Sequence, residues 1–400
     1  MSAQIGHLSL QQAHAELKRD PSPVPPIGDA EYQQRIEHAR ALLRQHGQDA
    51  LLVTAGTSLR YFSGIPWGAS ERLVAMLIPL HGEPSVFCPA FEEGSLQHAL
   101  RIPAQVRLWE EHEDPQGLVA QSARENHADT IALDPAAPVA VLTRLQAAAP
   151  HARIVDATAI INDCRMCKSA TELALMQRAT DITLKVHRLV AGIVHEGIAT
   201  SELKAFIDHA HRALGADGGS TFCIVQFGQA TAYPHGIPGD QQLQANDLIL
   251  VDTGCTVGGY NSDITRCYSF GRPDPEHVRI WELEHAAQQA AFAAVRPGVA
   301  CEDVDRAARK VIEDAGLGPG YRLPGLPHRT GHGCGADIHE APYLVPGDKT
   351  PLAPGMCCSD EPMIVIPDRF GIRLEDHFHV TDNAAAWFTP PSPAIDQPFA

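Results

Sequence analysis

Two pairs of carboxylates stand at hairpin distances in this sequence: Asp252 and Asp263 in VDTGCTVGGYNSDITR, and Glu361 and Glu375 in DEPMIVIPDRFGIRLED. Each stretch reads as two strands about a turn, Gly258-Gly259 in the first and Pro367-Asp368-Arg369 in the second. The members of each pair are then expected to face one another. Like charges directly opposite on neighbouring strands are destabilising, and burying such anions unpaired among Val and Ile costs more still. A multivalent cation between the pairs removes both costs, so the residues imply a metalloenzyme.

A chain of 400 residues is long enough for two domains and a large core. No stretch approaches the roughly 18 uninterrupted apolar residues of a membrane span, and the opening MSAQIGHLSLQQAHAELKRD lacks a basic segment followed by an apolar one. A soluble, non-exported protein with no membrane partner is expected. The formal charge of -17 repels phosphate backbones, and no cluster of Lys and Arg offsets it, which argues against nucleic acid as a partner. Ten scattered cysteines suit a reducing compartment better than a disulfide scaffold, so the expected location is cytoplasmic. Cys164 and Cys167 form a CxxC without a second copy or a thioredoxin-like strand before it, and read as thiols at the edge of a linker helix.

Residues 1–28, ending in PSPVPPIG, read as an extended Pro-rich arm that packs on a neighbour or is partly mobile. Over 29–164, helical patterns such as DAEYQQRIEHARALLRQHG alternate with short apolar runs, including DALLVTA, TIALD, and a hairpin of RLVAMLIPL and PSVFC about His81-Gly82. That alternation predicts an α/β domain on a central sheet. The segment 165–400 opens with a long helix, Ser169 and Glu172 having capping-box spacing. It then carries helix pairs and antiparallel hairpins, an α+β pattern in which two helix-and-hairpin halves each supply two acids.

Between the acid pairs lies HRTGHGCGADIHE, with His328, His332 and His339. Glycines around His332 are expected to let the backbone turn tightly and bring an imidazole to a bound ion. Four carboxylates and one imidazole are too oxygen-rich for a structural zinc site and suit two Mn²⁺, Co²⁺, Fe²⁺ or Zn²⁺ ions. Taken singly, an Asp or Glu in a strand is far more often a turn or surface residue than a ligand. GHGCG lacks the preceding strand and full spacing of a phosphate loop. His187, His209 and His211, on helical patterns, read as solvated or capping groups, and Cys255 and Cys334 as packing residues.

This constellation resembles the pita-bread metallopeptidases, within them the creatinase, aminopeptidase P and Xaa-Pro dipeptidase (prolidase) branch, over the whole chain after the arm. The resemblance implies an α+β pita-bread catalytic domain preceded by a smaller creatinase-like α/β domain. It implies that Asp252, Asp263, His332, Glu361 and Glu375 hold two divalent ions, Mn²⁺ first, with Asp263 and Glu375 bridging. His235 in AYPHG and His339 in HE would line the substrate site and stabilise the carbonyl oxyanion. A hydroxide held between the ions would attack the carbonyl, Glu361 would relay the water proton to the leaving imino nitrogen, and His328 and Arg373 would support from the substrate side or from behind the ligands. The implied reaction is cleavage before proline in Xaa-Pro dipeptides, with a small peptide as substrate and a homodimer as the working form. The alternatives are an aminopeptidase P acting on longer peptides and a metal-dependent hydrolase or lyase of a small non-peptide substrate. Two positions depart from the relatives: Val365 stands where many carry Tyr, and Tyr343 where dipeptidases carry an Arg for the substrate carboxylate.

Overall fold

The structure, a computed structural model, describes residues 4–399. The chain divides into two compact units, Ile27–Arg165 and the remainder of the described residues.

In the first unit the runs ALLVT, AMLIP and SVFCP are buried at every position, as strands covered on both faces must be. They become β1 (Ala50–Thr54), β2 (Ala75–Pro79) and β3 (Ser85–Pro89), joined by β4 (Gln105–Trp109), β5 (Thr130–Leu133) and β6 (Arg153–Asp156) in the order β4-β3-β2-β1-β5-β6. The hairpin about His81-Gly82 is present as the antiparallel pair β2–β3, while β5 and β6 add in parallel beside β1. Alternate side chains feed separate cores. Leu51, Val53, Met76 and Ile78 pack with Ile36, Ala39 and Leu43 of the helix Asp29–His46. Leu52, Ala75, Leu77 and Phe87 pack with Val119, Ala120 and Ala123 of the helix Pro115–Glu125.

The second unit begins its long helix, Ala170–Ile193, with the capping box read from the sequence: Glu172 N donates to Ser169 Oγ at 3.1 Å and Ser169 N to Glu172 Oε2 at 2.7 Å. This helix and Thr200–Leu214 cover a sheet ordered β10-β8-β7, formed by β7 (Ser220–Phe227), β8 (Leu248–Val257) and β10 (Ile264–Ser269), with β9 (Tyr260–Asn261) extending the hairpin from β8. A second sheet runs β12-β11-β13-β16-β17, made of β11 (Gly331–Gly333), β12 (Glu340–Leu344), β13 (Cys357–Asp360), β16 (Asp376–Val380) and β17 (Ala385–Trp387). The helices Pro275–Ala294 and Cys301–Asp314 share its core through Ile280, Ala287, Val304 and Ala308 against Leu344, Cys358 and Phe378. The hairpin β14 (Met363–Ile366) with β15 (Phe370–Arg373) completes an α+β unit.

The arm differs from the extended segment expected. Leu10–Ala15 is a helix started by a capping box of Ser9 and Gln12, and Gly6 N and Leu8 N donate to Ala191 O and Gly192 O at 2.9 and 2.8 Å, so the arm packs on its own chain. The prolines that suggest an extended arm begin only at Pro21, after this helix; residues 1–3 of the arm lie outside the described residues.

His187 and His211 also differ from the solvated groups expected, being buried against the hairpin sheet. The ring of His187 bonds Ile264 O, while His211 spans Thr183 Oγ1 and Ser220 Oγ. Burial lowers His211 from 6.5 to about 4, and burial together with the Arg266 charge lowers His187 well below its ordinary value. A histidine depressed in the folded state makes the unfolded chain the better proton binder, so stability is fullest above pH 6.5 and is lost as pH falls towards 4. For His211 the full loss is on the order of 3 kcal/mol. The urea midpoint is expected to fall between pH 7 and pH 5, and His211→Gln to flatten part of that decline; parallel profiles would refute the assignment.

Candidate metal centre

The Gly258-Gly259 turn lies where the sequence places it, both residues at positive φ (57° and 77°) as a two-residue hairpin loop demands. The facing of the acids is different. The loop pairs Val257 with Tyr260 and Thr256 with Asn261, and the same register sets Asp252 opposite Thr265. Asp263 stands two residues short of that position, because the turn centre lies one residue past the midpoint of the two acids. The pair is therefore diagonal across the ladder. In the second hairpin Met363 pairs with Arg373 and Ile366 with Phe370, a register that continues to Glu361 opposite Glu375, as expected. Glu375 also bridges to Thr265, its amide donating to Thr265 O at 3.1 Å, which carries one hairpin onto the other.

His332 lies on β11, between Gly331 and Gly333. These glycines serve close strand contact, whereas the sequence suggested a turn. A Cβ on Gly331 would stand 2.0 Å from Ser359 O, and one on Gly333 2.4 Å from Ala341 O. The ring is aimed by its Nδ1, 3.0 Å from Gly333 O, which leaves Nε2 directed at the acids, 3.0 Å from Glu361 Oε1 and 3.9 Å from Asp263 Oδ2.

Candidate ligand atoms converge in three overlapping groups, each within 4.8 Å: Asp263, His332 and His339; His332, Glu361 and Glu375; and Asp263, Glu375 and His377. Asp252 joins them from β8 through the guanidinium of Arg373, whose Nη2 donates to Asp252 Oδ2 and whose Nε donates to Thr265 Oγ1 at 3.1 Å. The Thr265 hydroxyl in turn donates to Glu375 Oε2 at 2.7 Å. Each of Asp252, Asp263 and Glu375 is left with one buried carboxylate oxygen that has no hydrogen-bond partner among the described residues: Oδ1, Oδ1 and Oε1. Buried acceptors are almost always satisfied, and hard oxygen donors left bare beside an imidazole Nε2 suit divalent cations. The donor set thus fits the ions that the sequence implied.

The electrostatics agree. Burial and the charges of Glu375, Asp252 and Glu361 push Asp263 well above the carboxylate range. Burial and the charges of Glu361 and Asp252 do the same to Glu375. Burial raises Asp252 despite Arg373. Glu361 goes the other way: burial opposes its ionisation, but the hydrogen bond and charge of His332, with the charges of His328 and Arg373, together outweigh burial and hold it low. Protein charges alone do not neutralise the cluster.

The remaining sequence candidates lie around it. His339 is exposed, its ring edge-on to His332 with centroids 4.2 Å apart, and burial with the charges of His332 and Arg329 lowers it to about 4. His235 is exposed on the loop after Ala232, whose Pro234 carbonyl accepts from Arg373 Nη1 at 3.3 Å. Arg373 thereby ties this loop to Asp252. His328 turns its Nδ1 to Arg329 O at 2.7 Å and keeps a buried, partnerless Nε2 among the described residues, while burial lowers its pKa against the pull of Glu361. Val365 sits in the core and offers no hydroxyl.

Sequence reasoning missed several supports. Ser359 Oγ accepts from His332 N at 3.0 Å and donates to Glu361 Oε1 at 3.1 Å. Lys168 Nζ donates to Glu340 Oε1 at 2.6 Å in a buried pair beside His339. Asp305 accepts from Arg309 Nε at 2.7 Å and from Thr330 N at 3.1 Å, while Arg309 also donates to His328 O, so one helix anchors the histidine loop. Of these, Asp305 and Arg309, four apart on a helix pattern, were the one signal available.

Residues 174–382 match metallopeptidase family M24, and residues 35–167 match the creatinase/prolidase N-terminal domain. The chain is 36% identical over 365 residues to the probable dipeptidase PepE of Mycobacterium tuberculosis, covering 89% of this chain and 94% of that protein. It is 31% identical over 360 residues to the Xaa-Pro dipeptidase of Lactobacillus helveticus, covering 88% and 96%. The crystal structure of dipeptidase PepE from Mycobacterium ulcerans superposes with a TM-score of 0.86 at 35% identity, over 94% of this chain and 100% of that one.

Proposed function

The chain belongs to metallopeptidase family M24, and on that premise we propose that it hydrolyses the peptide bond before proline, in Xaa-Pro dipeptides above longer peptides. One observation carries the reading: carboxylates of Asp263, Glu361 and Glu375 converge with the Nε2 of His332, Asp252 is joined to them through Arg373, and three buried carboxylate oxygens are left bare. Asp252, Asp263, His332, Glu361 and Glu375 would hold two divalent ions, Mn²⁺ first, with Asp263 and Glu375 shared. When bound, such a pair supplies Lewis acidity and makes water acidic near neutral pH.

The protein's own residues do the rest. Glu361 accepts a proton from the attacking water and returns it to the proline nitrogen as the carbon–nitrogen bond breaks, which balances the reaction without another acid. His235 and His339, on the exposed side, donate hydrogen bonds to the carbonyl oxygen as it gains charge. Arg373 holds Asp252 in place, favours its ionised form against burial, and fixes the loop that bears His235. The proline ring needs such a dedicated site, since its nitrogen carries no hydrogen and its φ is fixed.

Tyr343 replaces the arginine expected to hold a dipeptide's carboxylate, and the guanidinium of Arg329 lies 4.7 Å over the Tyr343 ring. Its charge is also felt by His339, so we assign Arg329 to the substrate carboxylate. Assays with added Mn²⁺ on an Xaa-Pro dipeptide and the matching Xaa-Pro-Yaa tripeptide test this. The dipeptide is expected to be preferred, and Arg329→Ala to raise its KM by roughly tenfold, a loss of one charged contact of 1.4 kcal/mol or more, with kcat little changed. Equal turnover of both peptides supports the aminopeptidase P alternative. The same reading includes a homodimer, against which a light-scattering mass of one chain would count, and a cytoplasmic location. Among the described residues no helix is long and apolar enough to cross a membrane.

A further inference from the structure

His377 takes no part in the chemistry so far assigned. It lies on β16, two residues beyond Glu375, opposite Ser359 of β13, and is fully buried. Directly paired residues of antiparallel strands project to the same face, and Ser359 faces the centre, touching both Glu361 and His332. The neighbouring Phe378 points the other way, into the core shared with the helices. The His377 imidazole is therefore turned to the acids. One of its ring nitrogens lies with carboxylate oxygens of Asp263 and Glu375 in a group no wider than 4.8 Å. Donors at 2.0–2.2 Å from one ion stand up to roughly 4 Å apart, so little movement brings this nitrogen to a shared cation.

Neither Nδ1 nor Nε2 of His377 has a hydrogen-bond partner among the described residues. A neutral imidazole carries one donor and one acceptor, and a buried one that serves packing alone normally satisfies them. His211 does so, against Thr183 and Ser220, and His187 Nε2 lies 3.0 Å from Ile264 O.

We infer that His377 is a further metal ligand of this centre, giving a ring nitrogen to the ion held by Asp263 and Glu375. The inference rests on the dinuclear reading above. A second imidazole makes one ion's environment richer in nitrogen, which moves preference from Mn²⁺ towards Co²⁺ or Zn²⁺ at that position.

The test uses the full chain, stripped with chelator and titrated with Co²⁺ or Mn²⁺ alone while heat and, for Co²⁺, visible absorption are recorded. In His377→Gln one of the two Co²⁺ affinities is expected to fall on the order of 100-fold, the upper end for groups that tune a metal site. The Co²⁺ absorption should change with it, and Mn²⁺ affinity should fall less. His377→Asp, which restores a donor, should bind both ions and prefer Mn²⁺; it also serves as the test should the Gln variant fail to fold. Wild-type Co²⁺ affinity and spectrum in His377→Gln, or an unchanged ratio of Co²⁺ to Mn²⁺ affinity in His377→Asp, would overturn the inference alone. A wild-type chain that takes up neither ion overturns the dinuclear reading itself.

Discussion

Glu361→Gln should retain its fold and lose turnover of an Xaa-Pro dipeptide by about 10³-fold, within the span of 10²–10⁴ typical of a positioned proton-transfer group. The change is nearly isosteric. The amide oxygen can still accept from Ser359 Oγ and lie beside His332 Nε2, so the strand β13 and the following Pro362 are not disturbed. What disappears is a base: a carboxylate can take a proton from water, and an amide cannot. The loss should fall on kcat, with a circular dichroism spectrum and melting profile close to those of the native chain. Activity within tenfold of the native chain would remove Glu361 from its proton-carrying role.

Withdrawal of divalent ions is expected to abolish hydrolysis and lower the melting temperature, both reversed by added Mn²⁺. A ligand present at 100 times its dissociation constant stabilises the folded chain by about 2.7 kcal/mol, and here it also removes the mutual repulsion of the acids. The direction with pH can be worked out. Asp263 and Glu375 have folded pKa values raised by burial and by neighbouring carboxylates, so without ions the folded state binds more protons than the unfolded one. Their stability is present at low pH and is lost as pH rises through the raised folded values. Ions expel those protons. Proton release on Mn²⁺ binding at pH 7, read by calorimetry in buffers of different ionisation enthalpy, is the expected signature. Binding without proton release, or a stripped chain as stable and as active as the loaded one, would contradict this.

Much of the architecture was legible because it is local. Short, mostly apolar runs announced four of the six strands in the first unit's sheet, the Ser169–Glu172 box announced the long helix, and a His-Gly, a Gly-Gly and a Pro-Asp-Arg turn announced the hairpins. The ligand candidates were legible through their order and immediate neighbours. What was hidden depends on register and on distance along the chain. A turn displaced by a single residue changed facing acids into diagonal ones. Gly331 and Gly333 were read as turn formers, although what they accommodate, the carbonyls of Ser359 and Ala341, comes from other strands. Lys168 and Glu340 are 172 residues apart, so no motif links them. His377 was one histidine among 21, and only the pairing of β13 with β16 sets it apart.

Thr265 gives the unit a mechanical property. Its carbonyl receives the Glu375 amide, its hydroxyl joins the Glu375 carboxylate to Arg373, and its backbone lies opposite Asp252. One residue thus stitches the sheet of the first hairpin to that of the second, and the β-branched side chain that does so has few rotamers in which to slacken. Breathing motions that part the two sheets must stretch this stitch, so the spacing of the oxygens on either side is governed by the stiffness of the seam as much as by the charges they carry.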